Sequence, residues 1–375
     1  MQVRKFKIAY LIGSLNRGGA ETLLLDIFRH SKNAPFEMSL IHRNGGTYLN
    51  EFDLLGQIYQ VSPRGMHIIS YWLRLRRIIK SEGITIIHAH YWLDVIYAWM
   101  ATIGLHLPIV YTFHGYMGAE ANWKIGLRYK MAIGMADRLC FVSAFEKERY
   151  EKRYGKAVGR KGCVIYNGVD FEKIDKGCTL TKILPEQEKG NLKLCMVGSF
   201  NSVRNQMEIA QALRLLRQEG ITNYDFYFVG SRYKGEEHWL DECVGFCQDN
   251  NMSNVHFLGN RDDVPAILHQ MNGYVYCSKN DTFGIAVVEA LSIGLPIVVN
   301  DHPVMQEICD CAGKNVLFYQ SGDIEDCAQK IRMLIQKIQN EKNLKDVCVQ
   351  SSAKIRENYN IDRHIKRLYE IYNGL

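Results

Sequence analysis

Short apolar runs rich in Val, Ile, Tyr and Phe alternate along the chain with longer stretches in which apolar residues recur every three or four positions. Runs at 7–12, 37–42, 57–61, 84–90, 108–114, 138–143 and 162–166 predict strands, and residues 22–29, 68–80, 93–105, 125–136 and 146–154 predict helices between them. Such alternation with short connections predicts a parallel sheet with helices on both faces. The pattern lapses over 173–191, a polar stretch holding Gly177, Pro185, Glu186 and Gly190, which is the expected linker. It then restarts, with strands expected at 192–197, 224–229, 255–258 and 315–318 and helices at 204–218, 236–249 and 264–271. From 323 the chain is expected to be helical to its end, with a break at 358–360. The first domain is therefore expected to span 1–172 and the second 192–359.

One stretch of the second half stands apart. Residues 274–301 predict strand, loop, helix and strand in succession, with Asp281 in the loop and Glu289 inside the apolar helix sequence AVVEAL. A carboxylate buried there is costly unless it has a partner. The amides at Gly284 and beyond form a helix N-terminus, which suits an anion. The same chemistry is offered by Gly198-Ser199 ahead of Arg204, where a strand gives way to a helix. His114 ends a β-branched strand and precedes Gly115, so an imidazole there can exchange a hydrogen bond with a reacting hydroxyl. His88 and His90 lie two apart on one strand, share a face, and are expected to pack at the sheet end. In open sheets ligands sit beyond the carboxyl ends of the strands, and these candidates occupy that edge.

Composition narrows the classes. With 375 residues, 47% hydrophobic and 23% charged, the chain has the make-up of an ordinary globular protein of about two domains. No run reaches membrane-spanning length, and the first apolar run is broken by Gly13, Ser14 and Asn16, as in a strand and unlike a signal peptide. Eleven scattered cysteines fit buried thiols in a reducing compartment. Cys309-Asp-Cys311 lacks a second ligand pair, so no metal site is expected. The net charge is +6, and residues 124–161 hold eleven Lys and Arg against four acids. A solvated helix face explains that excess; a surface for anionic lipid or a phosphorylated acceptor is the sharper explanation. No nucleic-acid module accompanies it. The Gly18-Gly19 region does not match G-x-G-x-x-G, and neither a P-loop nor a Gly-x-Ser-x-Gly elbow occurs.

Asp281-Thr282-Phe283-Gly284, Glu289-Ala290, Gly294 and Pro296 resemble the acid-x7-Glu signature of the retaining nucleotide-sugar glycosyltransferases of family 4. Gly18-Gly19-Ala20-Glu21, His88-Ala89-His90, Phe113-His114-Gly115, Asn167-Gly168 and Phe257-Leu258-Gly259 match further motifs of that family in the same order. The resemblance implies a GT-B fold: two Rossmann-like doubly wound α/β domains facing across a cleft, with the C-terminal helix, 360–375, returning to the first domain. It implies catalytic roles for His114, Asp281 and Arg204. Donor binding would fall to Gly18, Gly19, Gly198, Ser199, Arg204, Asn260, Arg261, Asp281, Thr282, Phe283, Gly284, Ile285 and Glu289. Glu289 would take the ribose hydroxyls, Asp281 the sugar hydroxyls, and the amides at 283–285 the diphosphate. Loops 43–48 and 116–123 would meet the acceptor.

The implied activity is retaining transfer from a nucleoside-diphosphate sugar, with UDP favoured, to a lipid-linked or polysaccharide acceptor, without a metal or other cofactor. The implied location is cytoplasmic, at the inner membrane face. This chain departs from the family pattern at Ser199, where the family has Arg, and at Asp281, where it has Glu. Lys279 or Arg17 is a candidate replacement for the missing cation. A nucleotide-sugar epimerase of the same fold and a non-catalytic sugar-nucleotide binder are the alternative functions.

Overall fold

A computed structural model describes residues 6–115, 122–179, 184, 191–233 and 235–375. The larger part of the expected linker, and of the expected acceptor loop at 116–123, lies outside the described residues. In chain order the first elements are β1 (Phe6–Ile12), α1 (Gly19–His30), β2 (Phe36–His42), α2 (Leu49–Asp53), β3 (Gln57–Gln60), α3 (Ile68–Ser81), β4 (Ile86–Ala89), α4 (Trp92–Thr102), β5 (Ile109–Phe113), α5 (Trp123–Met135), β6 (Arg138–Phe141), α6 (Ala144–Tyr154), α7 (Lys156–Lys161) and β7 (Gly162–Val164). They are followed by α8 (Phe171–Lys176), β8 (Leu192–Val197), α9 (Gln206–Gln218), β9 (Tyr224–Val229), α10 (His238–Asp249), β10 (Val255–Gly259), α11 (Val264–Leu268), β11 (Gly273–Tyr276), α12 (Ile285–Ile293) and β12 (Ile297–Asn300). The last elements are α13 (Pro303–Cys309), β13 (Val316–Tyr319), α14 (Ile324–Asn340), α15 (Leu344–Asn358) and α16 (Ile361–Asn373).

The chain forms two compact units, Met1–Val169 with Asn360–Leu375, and Asp170–Tyr359. Unit 1 holds a seven-stranded parallel sheet in the order β3-β2-β1-β4-β5-β6-β7. Its central strand shows why the first run is apolar throughout. Ala9 and Leu11 of β1 enter the core on one face, whereas Ile8, Tyr10 and Ile12 enter the core on the other. Successive side chains alternate across a strand, so a sheet covered on both sides needs apolar residues at every position.

Helix α16 covers part of the second face. Its buried residues Ile361, Ile365, Leu368 and Tyr372 recur at helical spacing, and Asn360 caps its start by accepting from the Asp362 amide at 2.7 Å. Gly168 lets it approach: a Cβ there would lie 2.7 Å from the Ile361 Cα, closer than real contacts allow.

Unit 2 repeats the plan with a six-stranded parallel sheet, β10-β9-β8-β11-β12-β13. The expected linker starts later than its polarity predicts. Asp170 caps α8 by accepting from the Lys173 amide at 3.1 Å, and Phe171 and Ile174 are buried. Two apolar side chains a turn apart anchor a helix whose remaining surface is charged, and the charge hid it. Short helices α2, α7 and α13 were also not expected. For α13 a signal existed, since Pro303 at its first position is a helix-start residue. The terminal helical run has a second break, between α14 and α15, besides the expected one.

Candidate functional site

In unit 2 the strand order reverses between β8 and β11, and that switch point is where an open α/β sheet binds its ligands. Both loops leaving it carry expected site residues. After β8, the Gly198 amide donates to Val229 at 2.9 Å and the Phe200 amide to Ser231 at 3.0 Å. Gly230 makes this approach feasible, because a Cβ there would lie 2.0 Å from the Gly198 carbonyl oxygen. Asn201 Oδ1 then accepts from the Val203 and Arg204 amides at 3.1 and 2.9 Å, turning the chain so that Arg204 faces the second loop. That loop, after β11, is tied to the first by the Lys279 amide donating to Val203 at 2.9 Å.

Arg204 is engaged. Its guanidinium forms an ion pair with the Asp281 carboxylate, bonds the Tyr276 hydroxyl, and lies 5.1 Å from the centre of the Tyr276 ring. The Tyr276 hydroxyl donates to the same Asp281 oxygen at 2.5 Å, and the other oxygen accepts from the Thr282 amide at 2.9 Å. The structure thus joins Arg204 and Asp281, to which the family resemblance gives separate tasks on phosphate and sugar. Tyr276 was missed. It sits in an apolar strand where a tyrosine reads as core, and no spacing rule marks it.

Helix α12 starts beside this cluster. Gly284 is its N-cap in the left-handed conformation, φ +84°, and a Cβ there would fall 2.7 Å from Met305 Cε. The first amides of a helix have no intrahelical acceptor, so Ile285 and its neighbours offer donors to an anion. Phe283 turns its ring inward, edge-on to Tyr359 at 5.4 Å, which leaves its backbone as its contribution to a site. Glu289 is half-buried, not enclosed as its apolar neighbours predict. It lies one helical turn into α12.

The remaining donor-site candidates lie on neighbouring loops. Ser199 Oγ is 3.3 Å from Ser231 Oγ. Asn260 and Arg261 follow β10, and the Arg261 guanidinium grips Asp263 through two bonds of 2.7 and 2.6 Å. That bidentate pair holds the Asp263 carboxyl below its ordinary value and stiffens the turn. Lys279 Nζ is 5.8 Å from the Trp239 ring centre.

Unit 1 offers a different chemistry. Gly18 caps α1 and Gly19 begins it. The loop before them is braced by a second one, with the Tyr48 amide donating to Leu15 at 2.9 Å and the Arg17 amide to Thr47 Oγ1 at 2.9 Å. Gly46 permits that packing, since a Cβ would meet the Leu15 carbonyl carbon at 2.1 Å. Arg17 itself lies over the Tyr48 ring at 5.6 Å, in unit 1. Glu21 is buried, accepts from the Tyr91 hydroxyl at 3.1 Å, and has its carboxyl raised by desolvation. Arg43 pairs with buried Asp94 at 2.9 Å; burial raises that carboxyl to about 6 against the pull of the arginine.

At the ends of β4 and β5 the histidines meet. His90 Nδ1 and His114 Nε2 share a hydrogen bond of 2.7 Å, and their rings stack at 4.9 Å, tilted by 8°. His88 stacks on His90 at 4.9 Å and is held by the Tyr372 hydroxyl and Thr112 Oγ1, both at 2.6 Å. Desolvation pushes His88 and His114 down to about 3, and the neighbouring imidazoles add to it. His364 of α16 donates from Nδ1–H to the Tyr166 carbonyl at 2.8 Å, and burial takes its value down to about 4. From their spacing on one strand His88 and His90 are expected only to pack. The structure makes His90 the direct partner of His114.

No group of three or more His, Cys, Asp or Glu that could hold a metal ion occurs among the described residues. All eleven cysteines, Cys309 and Cys311 included, are free thiols. No helix among the described residues is long and apolar enough to cross a membrane.

Residues 17–173 match the model of Glycosyltransferase Family 4, and residues 191–337 match that of Glycosyl transferases group 1. The chain belongs to the family 4 glycosyltransferases. Among curated relatives of this glycosyltransferase is the Escherichia coli UDP-Gal:alpha-D-GlcNAc-diphosphoundecaprenol alpha-1,3-galactosyltransferase, 26% identical over 98% of this chain and 97% of that one. A second is the Campylobacter jejuni N,N'-diacetylbacillosaminyl-diphospho-undecaprenol alpha-1,3-N-acetylgalactosaminyltransferase, 24% identical over 78% of this chain and 74% of that one. Among solved structures, Anabaena HepE in complex with UDP and glucose matches with a TM-score of 0.81 at 18% identity, covering 99% of this chain and all of that one. That likeness shows the fold, which is GT-B, as the motifs implied.

Proposed function

We propose that this glycosyltransferase moves a sugar from a UDP-sugar to a lipid-linked or polysaccharide acceptor, with retention at the anomeric carbon and without a metal. The carrying observation is the Arg204–Asp281–Tyr276 cluster at the unit 2 switch point, beside the amide-rich start of α12. A diphosphate leaving group gathers negative charge as its bond to the sugar breaks. Arg204 and the amides of 284–286 supply the compensating positive end. Asp281, relieved of its arginine by the phosphate, accepts from sugar hydroxyls, and Glu289 from the ribose. His114, held neutral by burial, hydrogen-bonds the sugar without adding charge. The names of the relatives, with UDP-galactose and undecaprenol-linked acceptors, support this substrate class, and so does the UDP complex of a structural neighbour. A lipid-linked acceptor would bring the protein to the inner membrane face.

A thermal-shift screen of nucleotide sugars tests the donor, because a ligand bound by the native state raises its apparent stability. UDP-sugars are expected to shift the transition and unrelated nucleotides to leave it. Transfer that survives both Arg204→Ala and Glu289→Ala would overturn the site. Conversion of the donor to its epimer without acceptor, seen by NMR, would overturn the reaction class.

A further inference from the structure

His90 and His114 share one hydrogen bond, 2.7 Å between His90 Nδ1 and His114 Nε2. The proton in it can belong to either ring, so the bond alone leaves two arrangements open. Both rings are neutral at neutral pH, since desolvation takes His114 down to about 3 and His90 well below its ordinary value. Each ring therefore carries one proton, and placing one places the other. In the first arrangement His90 donates from Nδ1–H, and the His114 proton sits on Nδ1. In the second His114 donates from Nε2–H, and the His90 proton sits on Nε2.

The surroundings of His90 decide between them. The residue is 3% exposed, and among the described residues its Nε2 reaches no hydrogen-bond partner. A proton on Nε2 would make a buried N–H without an acceptor, and such orphans are rare in folded proteins. A bare Nε2 leaves only a lone pair unmet, which interiors tolerate better. Turning the ring over does not help, because it carries Nδ1 away from His114 and breaks the shared bond. The ring is also packed in place, 4.9 Å from His88 and 5.7 Å from Tyr10. His88 is no substitute orienter, since its two nitrogens are engaged by Tyr372 and Thr112. The first arrangement is the one that this site stabilises.

We propose that His90 is a positioning residue: it donates from Nδ1–H to His114 Nε2, and so fixes His114 as the Nδ1–H tautomer, a hydrogen-bond donor to a sugar oxygen. A buried carboxylate sets the histidine tautomer of a catalytic triad in the same way. Here the orienting group is itself neutral, so it orders His114 without adding charge. With Nε2 occupied as an acceptor, His114 offers a ligand a nitrogen that only donates. A sugar oxygen meets it with a lone pair; the opposite tautomer would set lone pair against lone pair. Exposure divides the two tasks. His114 is partly exposed and can touch a ligand, whereas His90 is enclosed and can only orient its neighbour. The use of the donor rests on the proposed transfer reaction; the tautomer itself does not.

The test is a long-range proton–nitrogen correlation spectrum of the full chain labelled with 15N-histidine, at neutral pH and without any sugar donor. His90→Asn and His114→Gln assign the two signals, and His364, which donates from Nδ1 to a carbonyl, is the reference in the same spectrum. Both rings are expected as Nδ1–H; either one found as Nε2–H would overturn the proposal. The wild-type spectrum decides this even where a variant fails to fold. His90→Leu removes the donor, so His114 is expected to become a mixture of tautomers and kcat to fall about tenfold, with KM for the donor within about twofold. Asn can place an amide N–H near the position of Nδ1, so His90→Asn is expected to keep His114 on Nδ1 and kcat within about threefold of wild type. A purely structural His90 would cost His90→Leu thermal stability yet leave His114 on Nδ1, and that result would also overturn the proposal. The expected tautomers in a wild type that transfers no sugar would count against the proposed function and leave the orientation of His114 standing.

Discussion

At the switch point of unit 2 an arginine, a carboxylate and a phenol are gathered beside a helix N-terminus; at the same sheet edge of unit 1 stand four imidazoles stripped of charge. The two sheets are built alike, and under the proposed function the difference follows from what each edge would meet. An anionic ligand has to find a cation that can be exchanged. Arg204 is kept in place by Asp281, which a phosphate can replace. An edge that meets a neutral sugar does better with fixed hydrogen-bonding groups. Three of the imidazoles are ordered by one another and by Tyr372 and Thr112, and His364 of α16 is ordered by the Tyr166 carbonyl; burial removes the charge that would make them sensitive to every passing anion.

The most direct way to break this contrast is to remove the cation. Arg204→Ala is expected to lower kcat/KM by about a hundredfold to a thousandfold, the usual effect of losing one preorganised donor to a developing oxyanion. Arg204→Lys keeps the charge but loses the planar fork, and is expected to fall between the two. A steady-state comparison of the three proteins checks it. Activity of the alanine variant within threefold of wild type would place the essential cation elsewhere, with Lys279 the first candidate in unit 2. Next in size is Gly230→Ala. Its methyl would overlap the Gly198 carbonyl, so the β8 loop must shift. A destabilisation of about 1–3 kcal/mol is expected by urea unfolding, together with a weaker thermal shift by UDP.

For unit 1 the contrast predicts a pH dependence. A histidine whose native value lies below its unfolded one binds fewer protons when folded. Its contribution is therefore complete above the unfolded value of 6.5 and is lost as the pH falls towards the native value, about 4 for His364 and about 3 for His88 and His114. Asp94, raised from 3.8 to about 6, works the other way across part of that window and offsets one imidazole. Stability should therefore fall between pH 6.5 and 5. His364→Gln, which retains a donor for Tyr166, should flatten the slope by about 1.4 kcal/mol per pH unit. An unchanged slope would mean that His364 is charged in the native state.

Much of this was legible in the sequence, and the rest was not for physical reasons. Both sheets announced themselves because buried parallel strands must be apolar on both sides, as β1 is. Asp281, Gly284 and Glu289 stood out because acids and a glycine interrupt an apolar pattern. Tyr276 interrupts nothing: a tyrosine in a buried strand is ordinary, and only its hydroxyl distinguishes it from the phenylalanine that would fit as well. His90 had the opposite fault, being visible yet explicable as packing, since pairing with His114 depends on two strands being neighbours.

The smallest expected effect is also the finest test of how Arg204 is held. Tyr276 donates to the same Asp281 oxygen that Arg204 engages, so phenol and guanidinium share one acceptor. Tyr276→Phe keeps the ring beneath the guanidinium and deletes only the hydroxyl. Arg204 then becomes the main partner of that oxygen, and the pair tightens by part of a hydrogen bond, about 1 kcal/mol. An incoming diphosphate has to displace a stronger pair, so KM for the donor should rise about fivefold while kcat holds. If instead the phenol itself touched the reacting sugar, kcat would fall and KM would not. If Tyr276 served only as packing, neither would move.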